Sequence, residues 1–322
     1  MTLFLYRRAI LALGGAMLAA PALAQAYPDR PIRLIIPFPA GGGTDAQSRL
    51  LAQGLAQVLG QQVIAENRGG AGGSIGAEAL ARAAPDGYTL GIGTTSTHAI
   101  NPALYRRLSY DVRRDFTPIG AYGLQPLVIV VRNELPARNL AEFLDLARRM
   151  EITAASPGNG TSGHLAAAIL NVAAGTKLIH VPYRGESFAN TDLVAGRVDC
   201  MFAQPTTAMP NAQAGMMRVL ATTSAQRSPL LPELQTFQEA GVRDFEVVGW
   251  NALYGPAGLP APLVERLNRA MNQAMRPEGI KPRMDALGVT PLGGAPAEPT
   301  ALMERELPKW AAAVRAADVT AD

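Results

Sequence analysis

A single cysteine in 322 residues excludes an intramolecular disulfide, so packing alone must hold the fold together. That residue, Cys200, lies in the short apolar run 198–203, which reads as a buried strand with the thiol acting as a small core hydrophobe. Histidine is almost as scarce. His98, His164 and His180 show no H-x-H or H-E-x-x-H spacing, which argues against a zinc centre. Charge is sparse too, at 17% of residues, and no Lys/Arg cluster marks a surface for a phosphate backbone. The 29 basic and 26 acidic residues leave +3, or +1 once Arg7 and Arg8 are set aside, so nucleic-acid binding is excluded. The weakly charged, weakly apolar balance also excludes a disordered polyelectrolyte and a multispan membrane protein.

The N-terminus carries an address. Arg7 and Arg8 precede an apolar stretch at residues 9–20, the length of a signal-peptide core and too short to span a bilayer. Pro21 and the small residues Ala22, Ala24 and Ala26 follow, so residues 1–26 read as a signal peptide cleaved after Ala24 or Ala26, and a periplasmic chain is expected. The segment 6–10 also loosely fits a twin-arginine signal, which leaves the export route open. The length that remains suits two domains at about 150 residues each.

Beyond the leader one pattern recurs: apolar strand, glycine-rich turn, helix. Residues 33–38 form a nearly continuous apolar run, as expected of a strand covered on both faces of a parallel sheet. Residues 39–43 make a flexible turn, and Thr44-Asp45-Ala46-Gln47 has the capping-box spacing that starts a helix. Leu51, Leu55, Val58 and Leu59 give that helix one apolar face, and Gly60 ends it. Strands at 62–65 and 88–92, with a helix at 75–84 between them, complete a βαβ series. Two β-type runs between 117 and 131, interrupted by Gly120, Gly123 and Pro126, mark a crossing into a second series. That series has strands at 152–155, 178–181, 201–203 and 219–222, with helices at 165–174 and around Leu193. Residues 245–254 read as the return crossing, and the tail is helical at 262–275, 282–286 and 299–317. The expected fold is α/β, with 27–122 and 252–322 forming a discontinuous first domain and 123–251 the second.

Three glycine-rich elements could carry chemistry. Phe38-Pro39-Ala40-Gly41-Gly42-Gly43-Thr44-Asp45 lies between a strand and a helix, where exposed N–H groups and the helix dipole bind anions without any arginine. Its blander reading is a turn followed by a helix cap. Ser156-Pro157-Gly158-Asn159-Gly160-Thr161-Ser162-Gly163-His164 holds the same place in the second series. Gly158, Gly160 and Gly163 there fit a dinucleotide-binding G-x-G-x-x-G, although no acidic residue follows about twenty positions on. This keeps an exported NAD(P)-dependent oxidoreductase as one alternative. Gly72-Gly73-Ser74-Ile75-Gly76 fits the G-x-S-x-G of serine hydrolases, a second alternative, yet it follows a long loop rather than a tight turn. A helix start at Ser74 is the simpler reading. Glycine-rich helix starts in both domains are expected to face each other across a cleft and to grip a small dianion, with the two crossings as hinges.

These motifs carry a resemblance. Tyr27-Pro28-Asp29-Arg30-Pro31-Ile32-Arg33, the 38–45 turn, Glu66-Asn67-Arg68-Gly69-Gly70-Ala71-Gly72-Gly73 and Pro85-Asp86-Gly87-Tyr88-Thr89-Leu90 are similar to the N-terminal half of the Bug family. These are the extracytoplasmic solute receptors of tripartite tricarboxylate transporters. Residues 158–165, His180-Val181-Pro182-Tyr183-Arg184-Gly185, residues 192–199 and residues 255–262 continue the match in the family's order. The resemblance implies a two-domain Venus flytrap, type II-like, with a carboxylated solute between the glycine-rich loops. It implies no catalysis and no cofactor, a monomer, and delivery of the solute to membrane permease subunits. Carried over by position, Phe38, Ala40, Gly41, Gly42 and Asp45 line one wall, helped by Thr94, Thr95 and Ser96. Ser156, Gly158, Thr161, Ser162 and His164 line the other, with Tyr183, Arg184 and Gln204 near the pocket. The chain departs from the family at Glu186-Ser187-Phe188, where small residues and a proline are usual. Residues 203–206 and 249–252 lie in regions where members differ. All these positions help set which solute fits. Asp45 has two readings, as a partner of the helix dipole or as a group facing a ligand's ammonium.

Overall fold

A computed structural model describes residues 27–320; the signal-peptide expectation for residues 1–26 lies outside the described residues. The first series runs β1 (Ile32–Ile36), α1 (Gly43–Leu59), β2 (Val63–Asn67), α2 (Ser74–Ala81) and β3 (Thr89–Thr94). A π-helical turn (Ser96–Ile100) continued by α3 (Asn101–Leu104) follows. The long β4 (Phe116–Pro126) then leads through Leu127 into β5 (Val128–Val131). The second series is α4 (Leu140–Arg149), β6 (Ile152–Ser156), α5 (Ser162–Ala174), β7 (Leu178–Pro182), α6 (Glu186–Val194) and β8 (Cys200–Ala203). It ends with α7 (Pro205–Gln213) and β9 (Arg218–Thr222). The chain returns along β10 (Val248–Pro256) and finishes with α8 (Ala261–Ala274), α9 (Lys281–Ala286), β11 (Thr290–Pro291) and α10 (Glu298–Ala316).

Two mixed sheets result. The first has the order β11-β4-β10-β3-β1-β2 and the second β7-β6-β8-β5-β9. In each, the first strand of the series lies between two parallel neighbours: β1 between β2 and β3, and β6 between β7 and β8. Antiparallel strands complete the sheets, β10 beside β3 and β4, and β5 beside β8 and β9. The first sheet keeps β4 through Pro126 and takes back the chain at Val248, so the expected boundaries at 122/123 and 251/252 fall inside paired strands.

The apolar character of β1 follows from burial on both faces. Ile32, Leu34 and Ile36 join Leu51 and Leu55 of α1 and Met271 of α8 in one cluster. Ile35 joins Ala77 and Leu80 of α2 in another, which runs on through Ile129 and Val131 of β5 to Leu165 and Leu170 of α5. That second cluster spans both sheets. Cys200 is fully buried in β8, and burial pushes its thiol pKa up, as befits an inert core residue.

Two local expectations need correction. Thr44 does not cap α1: Gly42 is the N-cap, no side chain caps the end, and Thr44 lies inside the helix. Neither Thr44 nor Gln47 is spent on a cap, because both side chains bond to groups across the cleft. The strand read at 245–254 starts only at Val248, since Phe245 and Val247 instead plug the core. Among the described residues no helix is long and apolar enough to cross a membrane.

Helix α10 ties the two halves together by packing on the π-helical turn, on α3 and β4, and on α5. Its anchor is Trp310, fully buried, whose indole N–H donates to the buried Glu306 carboxylate at 2.9 Å. Replacing Trp310 by alanine should cost about 3–5 kcal/mol, because it opens a cavity and strips that carboxylate of its donor. Urea unfolding should show the loss as a lower midpoint, with Trp310→Phe falling between the variant and the wild type.

Candidate functional site

In an open α/β sheet, ligands sit beyond the carboxyl ends of the strands, where neighbouring crossovers diverge. Both sheets place such a point beside the first strand of their series, β1 and β6, and the two points meet. A cavity of about 50 Å³ lies between them. On a measure where one water takes about 10–15 Å³, that is room for a few small groups and far too little for a dinucleotide. The turn after β1 contributes Phe38, Gly42 and Thr44, and the turn after β3 contributes Thr94, Thr95 and Ser96. From the second sheet come Pro157, Thr161 and Ser162 after β6, Glu186 at the start of α6, and Gln204 after β8. The crossings add Gln125, Leu127, Gly249, Trp250 and Asn251.

The electrostatics of this lining are unusual. Among the described residues, no Lys, Arg or His lines the cavity, and its one ionisable side chain is the acid Glu186. Positive potential must therefore come from the main chain. At α5, Thr161 is the N-cap and its hydroxyl accepts from His164 N. The N–H groups of Ser162 and Gly163, in the first turn, have no hydrogen-bond partner among the described residues. Trp250 adds a buried indole N–H that also lacks one.

Several residues expected at the site brace the loops instead of lining the cavity. Ala40 and Gly41 are exposed at the rim. Asp45 is engaged on every side: it pairs with Arg49 at 3.0 Å and accepts from Asn67 Nδ2 at 2.8 Å and Gly41 N at 3.0 Å. Burial would raise its pKa, but these donors outweigh burial and hold the carboxyl below its usual range. These bonds tie Asp45 into the turn and helix start, and it is not among the residues lining the cavity. Ser156 hydrogen-bonds to His180 Nε2 at 2.6 Å and to both ends of Gly158, shaping the turn from behind. His164 stacks on His180 with centroids 3.8 Å apart and accepts from Gly160 N. Gly158, Tyr183 and Arg184 belong to an outer groove beside the glycine-rich loop 69–73, and Tyr183 donates to Asp192 at 2.8 Å.

The glycines of that outer loop serve close approach. A Cβ on Gly72, which has φ +59°, would lie 2.6 Å from the Asn159 carbonyl of the second sheet. Ser74 does begin α2, and its hydroxyl accepts from Asn101 Nδ2 at 3.0 Å rather than meeting a histidine base. Gly163 serves tight packing, since a Cβ there would come within 2.8 Å of the Phe202 carbonyl. Sequence reasoning missed Pro39, Thr44, Gln125, Leu127 and Pro157 as cavity residues, while Gly249, Trp250, Asn251 and Glu186 fell in segments it singled out as solute-setting.

Two α/β lobes joined by two crossings and closing on a solute-sized cavity are the architecture of periplasmic binding proteins. Comparison with known proteins narrows the class. Residues 47–319 match the Tripartite tricarboxylate transporter family receptor profile, and the chain belongs to that family. Its members are periplasmic solute receptors, so both enzyme alternatives fall away. A UPF0065 protein of Pseudomonas sp. (strain P51) is 39% identical over 310 residues, 94% of this chain and 92% of the relative. Among solved structures, R. palustris Rpa4515 with adipate has a TM-score of 0.88 at 32% identity, covering 91% of this chain and 99% of that one. MatC from Rhodopseudomonas palustris with bound malate has 0.83 at 32%, covering 89% and 100%.

The stacked histidines give a pH signature. Burial pushes the pKa of His164 down to about 4, and burial plus the neighbouring His164 does the same to His180. Both stay neutral in the folded protein while the unfolded chain takes up protons near pH 6.5. Their contribution to stability is therefore whole above that value and is lost as pH falls from about 6.5 toward 4. Urea midpoints should drop between pH 7 and pH 5, and a His164→Gln/His180→Gln double variant should show a shallower drop.

Proposed function

We propose that this chain is an exported receptor that captures a small carboxylate in the cleft between its two lobes and delivers it to the permease of a tripartite tricarboxylate transporter. The observation that carries this reading is the unpartnered first turn of α5 opening onto a cavity without cationic side chains. A carboxylate there accepts from Ser162 and Gly163 N–H, with the hydroxyls of Thr161, Ser162, Thr95 and Ser96 within the same lining. Adipate and malate, bound by the two related structures, are both carboxylates. The leader at residues 1–26 directs the chain to the periplasm, where a monomer presents its closed form to the permease. Closure is favoured by contacts across the cleft: Gln204 Nε2 donates to Thr44 Oγ1 at 3.1 Å, and Gln47 Nε2 to Gln204 Oε1 at 3.3 Å.

A thermal-shift screen of dicarboxylates, tricarboxylates, amino acids, aromatic acids and neutral sugars tests the ligand class. A ligand at a hundred times its Kd stabilises by about 2.7 kcal/mol. Stabilisation by carboxylates is expected, and stabilisation by a sugar alone would contradict the reading. The role of the main chain can be isolated at Ser162. Proline is tolerated at the first helical position, where it deletes the N–H together with the serine hydroxyl, and the extended Thr161 (φ −82°, ψ 157°) accepts a following proline. Ser162→Pro should leave the fold intact but cost about 1.5–3 kcal/mol of binding, about ten- to a hundredfold in Kd. Ser162→Ala, which keeps the amide, should lose much less by calorimetry.

A further inference from the structure

Glu186 is the feature of the cavity that the proposed function leaves unused. It opens α6, is 7% exposed, and lines the cavity. Its Oε2 accepts from Gly43 N at 2.9 Å, in the first turn of α1. Its Oε1 accepts from Gln204 N at 2.9 Å, at the N-cap of α7, and from Thr207 Oγ1 at 2.7 Å. One carboxylate thus closes two helix starts, one from each sheet. No ion pair to Glu186 is present among the described residues, so main-chain dipoles and a hydroxyl are what its charge meets.

The start of α1 is the counterpart of the start of α5, and it is already filled by acids. Asp45 occupies the outer side, bonded to Gly41 N and Arg49, and Glu186 the inner side. A diacid laid across the cavity would bring its second carboxylate toward the buried Glu186, where like charges repel. A carboxylate has about four acceptor positions, and three are taken here by the protein. The remaining lone pair and the uncompensated charge call for a cationic donor.

We infer that Glu186 is a built-in replacement for one carboxylate of a diacid, so that the receptor selects solutes with a single carboxylate and, at the opposite end, a protonated amine. This rests on the carboxylate reading above and names the subset of carboxylates it takes. The solute's carboxylate goes to the first turn of α5, and its ammonium donates to Glu186. The solute then completes the charge balance of the cavity as the lobes close. Burial outweighs the three donors and raises the pKa of Glu186 above the usual carboxyl range, and an ammonium beside it would shift it back toward the ionised form.

Matched pairs of probes test the inference by calorimetry: succinate against 4-aminobutanoate, adipate against 6-aminohexanoate, and isophthalate against 3-(aminomethyl)benzoate. In the wild type, the amino acid of at least one pair should bind tenfold or more tighter than its diacid. In Glu186→Gln that preference should shrink at least tenfold or invert. If the variant does not fold, the wild-type ratios decide alone. Wild-type ratios below tenfold in every pair overturn the inference, as does a preference that Glu186→Gln leaves unchanged. If no amino acid binds while a diacid does, the inference alone falls. If no acid of any kind binds, the carboxylate reading falls with it.

Discussion

A helix start exposes main-chain N–H groups that its own helix cannot use, and the whole site depends on where those groups are delivered. The strand order does the delivering. β1 and β6 each lie between two parallel neighbours, so the turn leaving each one opens at the point where adjacent crossovers part. With two sheets of the same order facing each other, the starts of α1 and α5 reach one cavity. No cationic side chain competes there among the described residues. Amides fixed by a helix need no reorganisation to receive an anion, and they impose direction as well as charge.

The crossings turn this geometry into a closable device. Gln47 of α1 stands at the junction: its Nε2 is shared among Gln125, Gln204 and Thr206, and its Oε1 accepts from Asn251 at 2.8 Å. These bonds run from the first sheet's helix to both crossings and to the second lobe. All the partners are neutral, so separating the lobes exposes amides and hydroxyls rather than stranding a buried charge. The contact between Gly43 N and Glu186 is the exception, since an acid loses a donor when it opens. Charge across the cleft is therefore concentrated at one place, where it can discriminate between solutes.

Much of this was legible in the sequence because local rules govern it. Continuous apolar runs marked the covered strands, and glycine-rich turns marked the helix starts that reach the cleft. The family motifs then assigned the class. What stayed hidden depends on register between distant segments. Gln125 faces the cavity only because β4 pairs with β10 beside β3, a relation with no short-range signature. Gln47 was masked by its capping-box spacing, a local rule that cleft contacts override. The bond that ties Asp45 into its turn comes from Asn67, 22 residues on, and no local pattern announces it. His164 lay in the right loop, yet its side chain turns back to stack on His180. Glu186 was visible only as a departure from the family, and its partners Gly43 and Gln204 lie at the starts of two helices, α1 and α7, far apart in the chain.

The claim that main-chain amides of α5 capture the solute can be read directly by NMR. With ¹⁵N-labelled protein and a carboxylate that stabilises it in the thermal screen, the amide protons of Ser162 and Gly163 should move downfield on saturation, beyond neighbouring amides. If those two resonances stay in place while arginine side-chain Nε signals shift, the solute is held by cations elsewhere and the central claim fails.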